Sequence, residues 1–121
     1  MVESGGSGSP KIPLAFYRAP TGNEPVLDWL KRLPRSERKE IGQDLMRAQW
    51  RWPVGMPLCR SLGGGLWEIR SSLTTNRIGR VLFCIRDGQL VALHGFIKKT
   101  QKTPDAELKL AKKRMKEVTR S

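Results

Sequence analysis

The dipeptide Asp87-Gly88 constrains this chain more than any other pair of residues, because it separates two runs of apolar and β-branched residues. Arg77 to Arg86 precedes it and Gln89 to Phe96 follows. Asp-Gly between such runs favours a two-residue turn with positive φ at both positions, the geometry that matches the twist of an antiparallel hairpin. With Arg86 opposite Gln89, uninterrupted pairing puts Val81, Phe83 and Ile85 on one face with Leu90, Ala92 and His94. Arg80, Leu82 and Cys84 then share the other face with Val91, Leu93 and Gly95. Both faces are largely apolar, so both must be covered, and the flanking segments have to supply two layers.

They do. Ile12 to Arg18 reads as a first strand, at a sheet edge because Pro13 has no N–H for a ladder. A helix opens at Glu24-Pro25, buries Val26, Leu27, Trp29, Leu30 and Leu33, and stops at Pro34. Ser36 is expected to cap a second helix that runs to about Trp50, with Ile41, Leu45 and Ala48 inward. Glu37, Arg38, Lys39, Glu40 and Arg47 are expected on its wet side, and the two helices form an αα-hairpin. The period then changes to two. A short strand includes Leu58 and Arg60, three glycines follow, Leu66 to Arg70 is a clearer strand, and Ser71 to Asn76 is a loop. Thr103-Pro104 is expected to cap a last helix with Leu108, Ala111, Met115 and Val118 inward and Lys109, Lys112, Lys113, Lys116 and Arg120 outward. The order predicts one α+β domain over residues 11–121: an N-terminal strand, an αα-hairpin, a mainly antiparallel twisted sheet and a C-terminal helix. Residues 1–10, MVESGGSGSP, read as a flexible Gly/Ser tail.

Charge points to the partner. The chain carries 23 Lys+Arg against 11 Asp+Glu, a formal net charge of +12. Self-repulsion on that scale opposes folding, and a polyanionic partner is the natural reason to retain it. Half of the excess lies in residues 96–121, with nine Lys/Arg and three acids. No stretch approaches the roughly 20 apolar residues of a bilayer span, and no signal peptide is recognisable, so a cytoplasmic protein with no membrane role is expected. Cys59 and Cys84 lack metal-ligand or disulfide spacing and read as small reduced hydrophobes in strands. No Walker loop, HExxH or GxSxG is present, so neither a metal nor another cofactor is expected.

The candidate site is a set of cations. Arg70 ends one strand, Arg80 lies within the next, and Lys98, Lys99 and Lys102 follow the last, so antiparallel pairing can gather them near one end of the sheet. For Arg80 two readings are open: a phosphate ligand, or a buried charge paired with Glu68 across the sheet. Lys98, Lys99 and Lys102 precede a helix N-terminus, which favours anions, while lysines there can equally be plainly solvated. His94, the one histidine, suits general acid–base work, but the strand bookkeeping sets it beside Val81 and Phe83 as a core-edge residue. Tyr17 reads as strand packing with an exposed hydroxyl. Trp50 and Trp52, flanking Arg51, suit base stacking and helix termination equally.

Several stretches together resemble the phage-derived, HigB-like branch of the RelE/ParE toxin superfamily. They are Phe16-Tyr17-Arg18, Gly22 to Val26 with Trp29-Leu30, Gly65-Leu66-Trp67-Glu68-Ile69-Arg70, Arg80-Val81-Leu82-Phe83 and the run His94 to Pro104. The resemblance spans about residues 12–118 and implies a RelE-like fold. It also implies a toxin of a type II toxin–antitoxin system that cleaves mRNA in the ribosome without a metal, by 2′-OH attack on the adjacent phosphate. The partners it implies are a HigA-like helix-turn-helix antitoxin, the ribosome and mRNA, with operator DNA reached only through the antitoxin. It marks Arg80, Arg70, Lys98, Lys99 and His94 as catalytic candidates, and Lys102, Lys109, Lys112, Lys113 and Lys116 as contacts to RNA or ribosome. The tyrosine, acid and histidine found near the C-terminus of RelE and HigB toxins have no counterpart here. A ParE-like gyrase poison and a non-catalytic nucleic-acid binder are the alternatives.

Overall fold

The structure is a computed structural model and describes residues 11–98 and 102–120, so the expected tail over residues 1–10 lies outside it. Strand β1 (Leu14–Phe16) leads to helices α1 (Pro25–Arg32) and α2 (Arg35–Arg51). Strands β2 (Cys59–Gly63), β3 (Leu66–Ser72), β4 (Ile78–Arg86) and β5 (Gln89–Lys98) follow, and helix α3 (Asp105–Arg120) closes the order. The α+β architecture expected from the sequence is therefore the one observed. The five strands form one sheet in the order β1-β5-β4-β3-β2. Neighbours pair antiparallel from β2 to β5, while β1 runs parallel to β5, so the sheet is mixed. As Pro13 requires, β1 is an edge strand.

The β4–β5 hairpin turns on Asp87 and Gly88 with φ of 52° and 73°, and Arg86 faces Gln89. Helices α1 and α2 cover one face of the sheet, where Val26, Leu30, Ile41, Leu45 and Ala48 meet Ile69, Val81, Phe83, Leu90 and Ala92. Helix α3 covers the other, with Ala111, Leu108, Met115 and Val118 against Leu66, Leu82, Cys84, Val91 and Phe96. The first layer sits very close at two strand glycines. A Cβ on Gly95 would lie 2.4 Å from ring carbons of Trp29, and one on Gly79 would lie 2.9 Å from Cδ1 of Ile41. Trp52 packs edge-to-face on Trp67 and Phe83, so it belongs to this core, whereas Trp50 stays exposed. Both cysteines are free and buried in strands.

Several local expectations are overturned. Helix α2 starts at Arg35 with Pro34 as its N-cap and no side-chain cap, so Ser36 lies inside the first turn. Glu37 is 1% exposed, not solvated. The first turn of α2 lies against the β3–β4 connection, where Thr75 donates to the Glu37 carboxylate and Arg77 pairs with it at 3.1 Å. Tyr17 is buried, and its hydroxyl donates to Glu117 on α3 at 2.6 Å. The hydrogen bond to Glu117, and then burial, hold the phenol above its usual pKa of 10.0. Strand β3 continues to Ser72, which shortens the expected loop.

Candidate functional site

A single irregularity in the hairpin decides which side chains share a face. From the turn, pairing runs Arg86↔Gln89, Ile85↔Leu90, Cys84↔Val91 and Phe83↔Ala92, and then skips to Leu82↔His94. Leu93 is the extra residue of a β-bulge, and beyond it the phase of β5 inverts. Its carbonyl accepts a hydrogen bond from Arg114 of α3 at 2.8 Å, which ties the bulge to the covering helix. Arg80 therefore pairs with Phe96 and Ile78 with Lys98. An uninterrupted register would have set His94 with Val81 and Phe83, and Gly95 opposite Arg80. Instead His94, Phe96 and Lys98 lie on the Arg80 face, beneath α3.

Strands β2 and β3 complete that face, because Arg60 pairs with Glu68 and Arg70 with Arg80. Glu68 is 1% exposed and holds the cluster together. One carboxylate oxygen accepts from Arg80 Nη1 and from Arg60 Nη2, the latter at 3.1 Å. The other accepts from the hydroxyl of Thr103 at 2.8 Å. Thr103 thus ties the start of α3 to the sheet and does not cap the helix with its side chain. The Arg80–Glu68 pairing weighed from the sequence is present, yet one carboxylate faces four cations: Arg60, Arg70, Arg80 and Lys98. Burial pulls the Arg80 guanidinium below its usual pKa, and Glu68 opposes that pull. Burial, and then the neighbouring Arg80, pull Lys98 below its usual 10.5. Arg80 Nε is buried with no hydrogen-bond partner among the described residues. Arg60, Glu68, Arg70 and Arg80 line a small cavity of about 80 Å³ with Met56, Pro57 and Leu58. Such a pocket, rich in N–H donors and poor in acceptors, is built for an anion.

The structure brings together Arg70, Arg80 and Lys98 from the sequence-derived candidates; Lys99 lies outside the described residues. His94 shares their face but is tied into a different group. Its Nε2 lies 2.7 Å from Glu107 Oε1, its Nδ1 lies 3.5 Å from Arg114, and its ring stacks on Phe96. Arg114 also sits 5.2 Å over the ring of Tyr17. Lys102 is exposed just before Thr103, and Lys109, Lys112, Lys113 and Lys116 are exposed on the outer side of α3. Sequence reasoning missed Arg60 and Thr103. The cross-strand partner of Glu68 was a usable signal for Arg60, whereas nothing local announced that Thr103 turns inward.

Among the described residues no cluster of three or more His, Cys, Asp or Glu could hold a metal ion, and no helix is long and apolar enough to cross a membrane. Residues 28–116 match the family described as phage derived protein Gp49-like (DUF891), a span from α1 into α3 that includes Glu68, Arg70, Arg80, His94 and Lys98. No curated protein matches the chain. Because the match covers most of the sequence, the chain belongs to the phage-derived Gp49-like family, within the RelE/ParE-like toxin superfamily.

Proposed function

We propose that the protein is the HigB-like toxin of a type II toxin–antitoxin system and cleaves mRNA on the ribosome without a metal ion. The observation that carries this is Arg80: an arginine 4% exposed, in a strand of a toxin-superfamily fold, lining a cavity with Arg60 and Arg70. In the proposed reaction the 2′-oxygen of one nucleotide attacks the phosphorus on its own 3′ side. The P–O5′ bond breaks, the 2′-OH proton is lost to a base, and the departing 5′-oxygen gains a proton. The products are a 2′,3′-cyclic phosphate and a 5′-OH. Charge accumulates on the non-bridging oxygens, where preorganised cations help most. Arg80 and Arg70 supply that stabilisation, and Lys99 adds to the local charge. Lys98, with its pKa lowered, is suited to protonate the leaving oxygen. The proton acceptor is His94, once Arg114 moves off its Nδ1 and the ring is released toward the cavity, or a group of the ribosomal RNA. Lys109, Lys112, Lys113 and Lys116 present a basic helix face to the ribosomal RNA backbone, and Lys102, just before the helix, adds to it. The expected partner is a HigA-like antitoxin with a helix-turn-helix, through which alone the pair reaches operator DNA.

Primer extension on translated mRNA tests the proposal. Induction should give codon-linked cuts, and Arg80→Ala should lower their rate by about a hundredfold or more, the effect of removing one preorganised transition-state donor. Intact mRNA under complete growth arrest would refute it.

A further inference from the structure

Arg70 borders two cavities. Beside the small one at Arg80 opens a cleft of about 600 Å³ between the C-terminal end of α2 and the chain leading into β2. The two share Met56, Pro57, Leu58 and Arg70 as a common wall. Asp44, Arg47, Arg51 and Arg70 supply the charge of the larger cleft. Arg47 is ion-paired with Asp44, so those two largely cancel. Arg51 and Arg70 are exposed, and among the described residues neither has an ion-pair partner. Val54, Met56, Pro57 and Leu58 add apolar surface to the same cleft, and Met56 is 75% exposed, more than Met46 or Trp50. A solvent-facing methionine sharing one cleft with unneutralised arginines suits a ligand that alternates flat apolar faces with anionic groups, which describes a polynucleotide.

We propose that this cleft is a second RNA subsite, holding the nucleotide next to the scissile phosphate with its backbone phosphate on Arg51 and Arg70 and its base against Met56. The inference rests on the endonuclease proposal and extends it. The cavity at Arg80, about 80 Å³, is far below the roughly 300–1,000 Å³ of pockets that enclose whole small ligands, so it admits a phosphate and not a nucleoside. A strand with its phosphate there has to continue elsewhere, and the wall shared at Arg70 leads into the cleft. An acidic peptide would find the same arginines, but it has no flat face to set on Met56 at nucleotide spacing.

The probe is a fluorescein-labelled hexaribonucleotide, fully 2′-O-methylated so that no 2′-OH can attack, titrated by anisotropy at several salt concentrations. Arg51→Ala should weaken binding about tenfold and reduce the slope of log affinity against log salt by about 0.7, the loss of one single-strand phosphate contact. Arg51→Lys should recover the slope. Met56→Ser should weaken binding about threefold without changing the slope, because it removes a packing surface and no charge. Arg32→Ala, which deletes an exposed charge from α1, should leave both quantities unchanged. Unaltered affinity and slope in Arg51→Ala, or an equal loss in Arg32→Ala, overturns the subsite. Because the probe cannot be cut, failure of the endonuclease proposal is read separately, from mRNA that stays intact with the unmodified protein.

Discussion

Removing the charge of Glu68 while keeping its shape should destabilise the protein strongly without unfolding it. In Glu68→Gln the amide oxygen can still accept from Arg80 while the amide N–H donates to the Thr103 hydroxyl, so geometry is largely retained and the lost quantity is the negative charge. Arg60 is 43% exposed at its side chain and remains solvated, so its pair with Glu68 contributes little. Arg80 is different: its side chain is 5% exposed, its Nε already has no partner, and Lys98 lies close enough for each to raise the cost of the other's charge. Breaking a buried ion pair by removing one partner costs about 3–5 kcal/mol, and the retained hydrogen bonds put this case near about 3. Domains of this size have about 5–15 kcal/mol in total, and each kcal/mol moves Tm by roughly 3–6 °C, so Tm should fall by roughly 9–18 °C. Thermal and urea melts followed by tryptophan fluorescence read this directly, since Trp52 and Trp67 pack together in the core. Adding Arg80→Met to Glu68→Gln should recover much of the loss, because the double variant no longer buries an uncompensated guanidinium. Inorganic phosphate should also raise the Tm of Glu68→Gln more than that of the parent, by occupying the vacated counter-charge. A Tm drop under about 4 °C, or strictly additive losses in the double variant, would refute the reasoning.

Two further perturbations test the scaffold and its ionisation. Gly95→Ala would put a methyl group 2.4 Å from the Trp29 ring and should destabilise by about 1–3 kcal/mol through overpacking. Trp29→Leu should cost less in that background than in the parent, and equal costs in the two backgrounds would show that the contact is not limiting. Burial, and then Asp44, push the Cys59 thiol up to about 11 from an ordinary 9.0. The unfolded chain then gives up that proton first, so stability should decline as pH rises from about 9 to about 11, by up to about 3 kcal/mol at the top. Cys59→Ala should show a shallower decline over that window, and parallel pH profiles for the two proteins would count against a buried protonated thiol.

Most of the frame was legible because its determinants are local. Asp87-Gly88 sets a turn, Pro13 marks an edge, Pro25 and Pro34 bracket a helix, and Leu108, Ala111, Met115 and Val118 mark the buried stripe of α3. The assembly of the candidate site was not legible, and the reason lies in Val91 to Phe96. That run is apolar at nearly every position, so neither face is labelled polar and nothing in the pattern betrays one inserted residue. The bulge at Leu93 consequently left His94 and Gly95 on each other's faces in the regular ladder. Glu37 and Thr103 failed for a related reason. Each resembles a surface or capping residue in its own segment, and each is drawn inward by a partner 34 or more positions away, Thr75 for one and Glu68 for the other.

The same irregularity connects the architecture to the proposed chemistry. A chain with net charge +12 gains no stability by setting Arg80 and Lys98 beside one another in a largely buried face; a pair of aliphatic residues would serve the fold better. What such an arrangement provides is cationic groups whose solvation has already been removed and whose orientation is fixed, the condition under which they stabilise developing phosphate charge most strongly. Each structural device then has an energetic role in keeping the cluster folded. Glu68 neutralises part of the charge, and Thr103 anchors the start of α3 to that carboxylate. The bulge sets Lys98 on the Arg80 face, and Arg114 ties the Leu93 carbonyl at the bulge to α3. Behind the sheet, Gly79 and Gly95 let Ile41 and Trp29 approach β4 and β5 closely, bracing the strands on the side away from the cations. Arg51 and Arg70, which have no ion-pair partner among the described residues, line the cleft beside the cavity, which is where an incoming polyanion would first exchange water for protein.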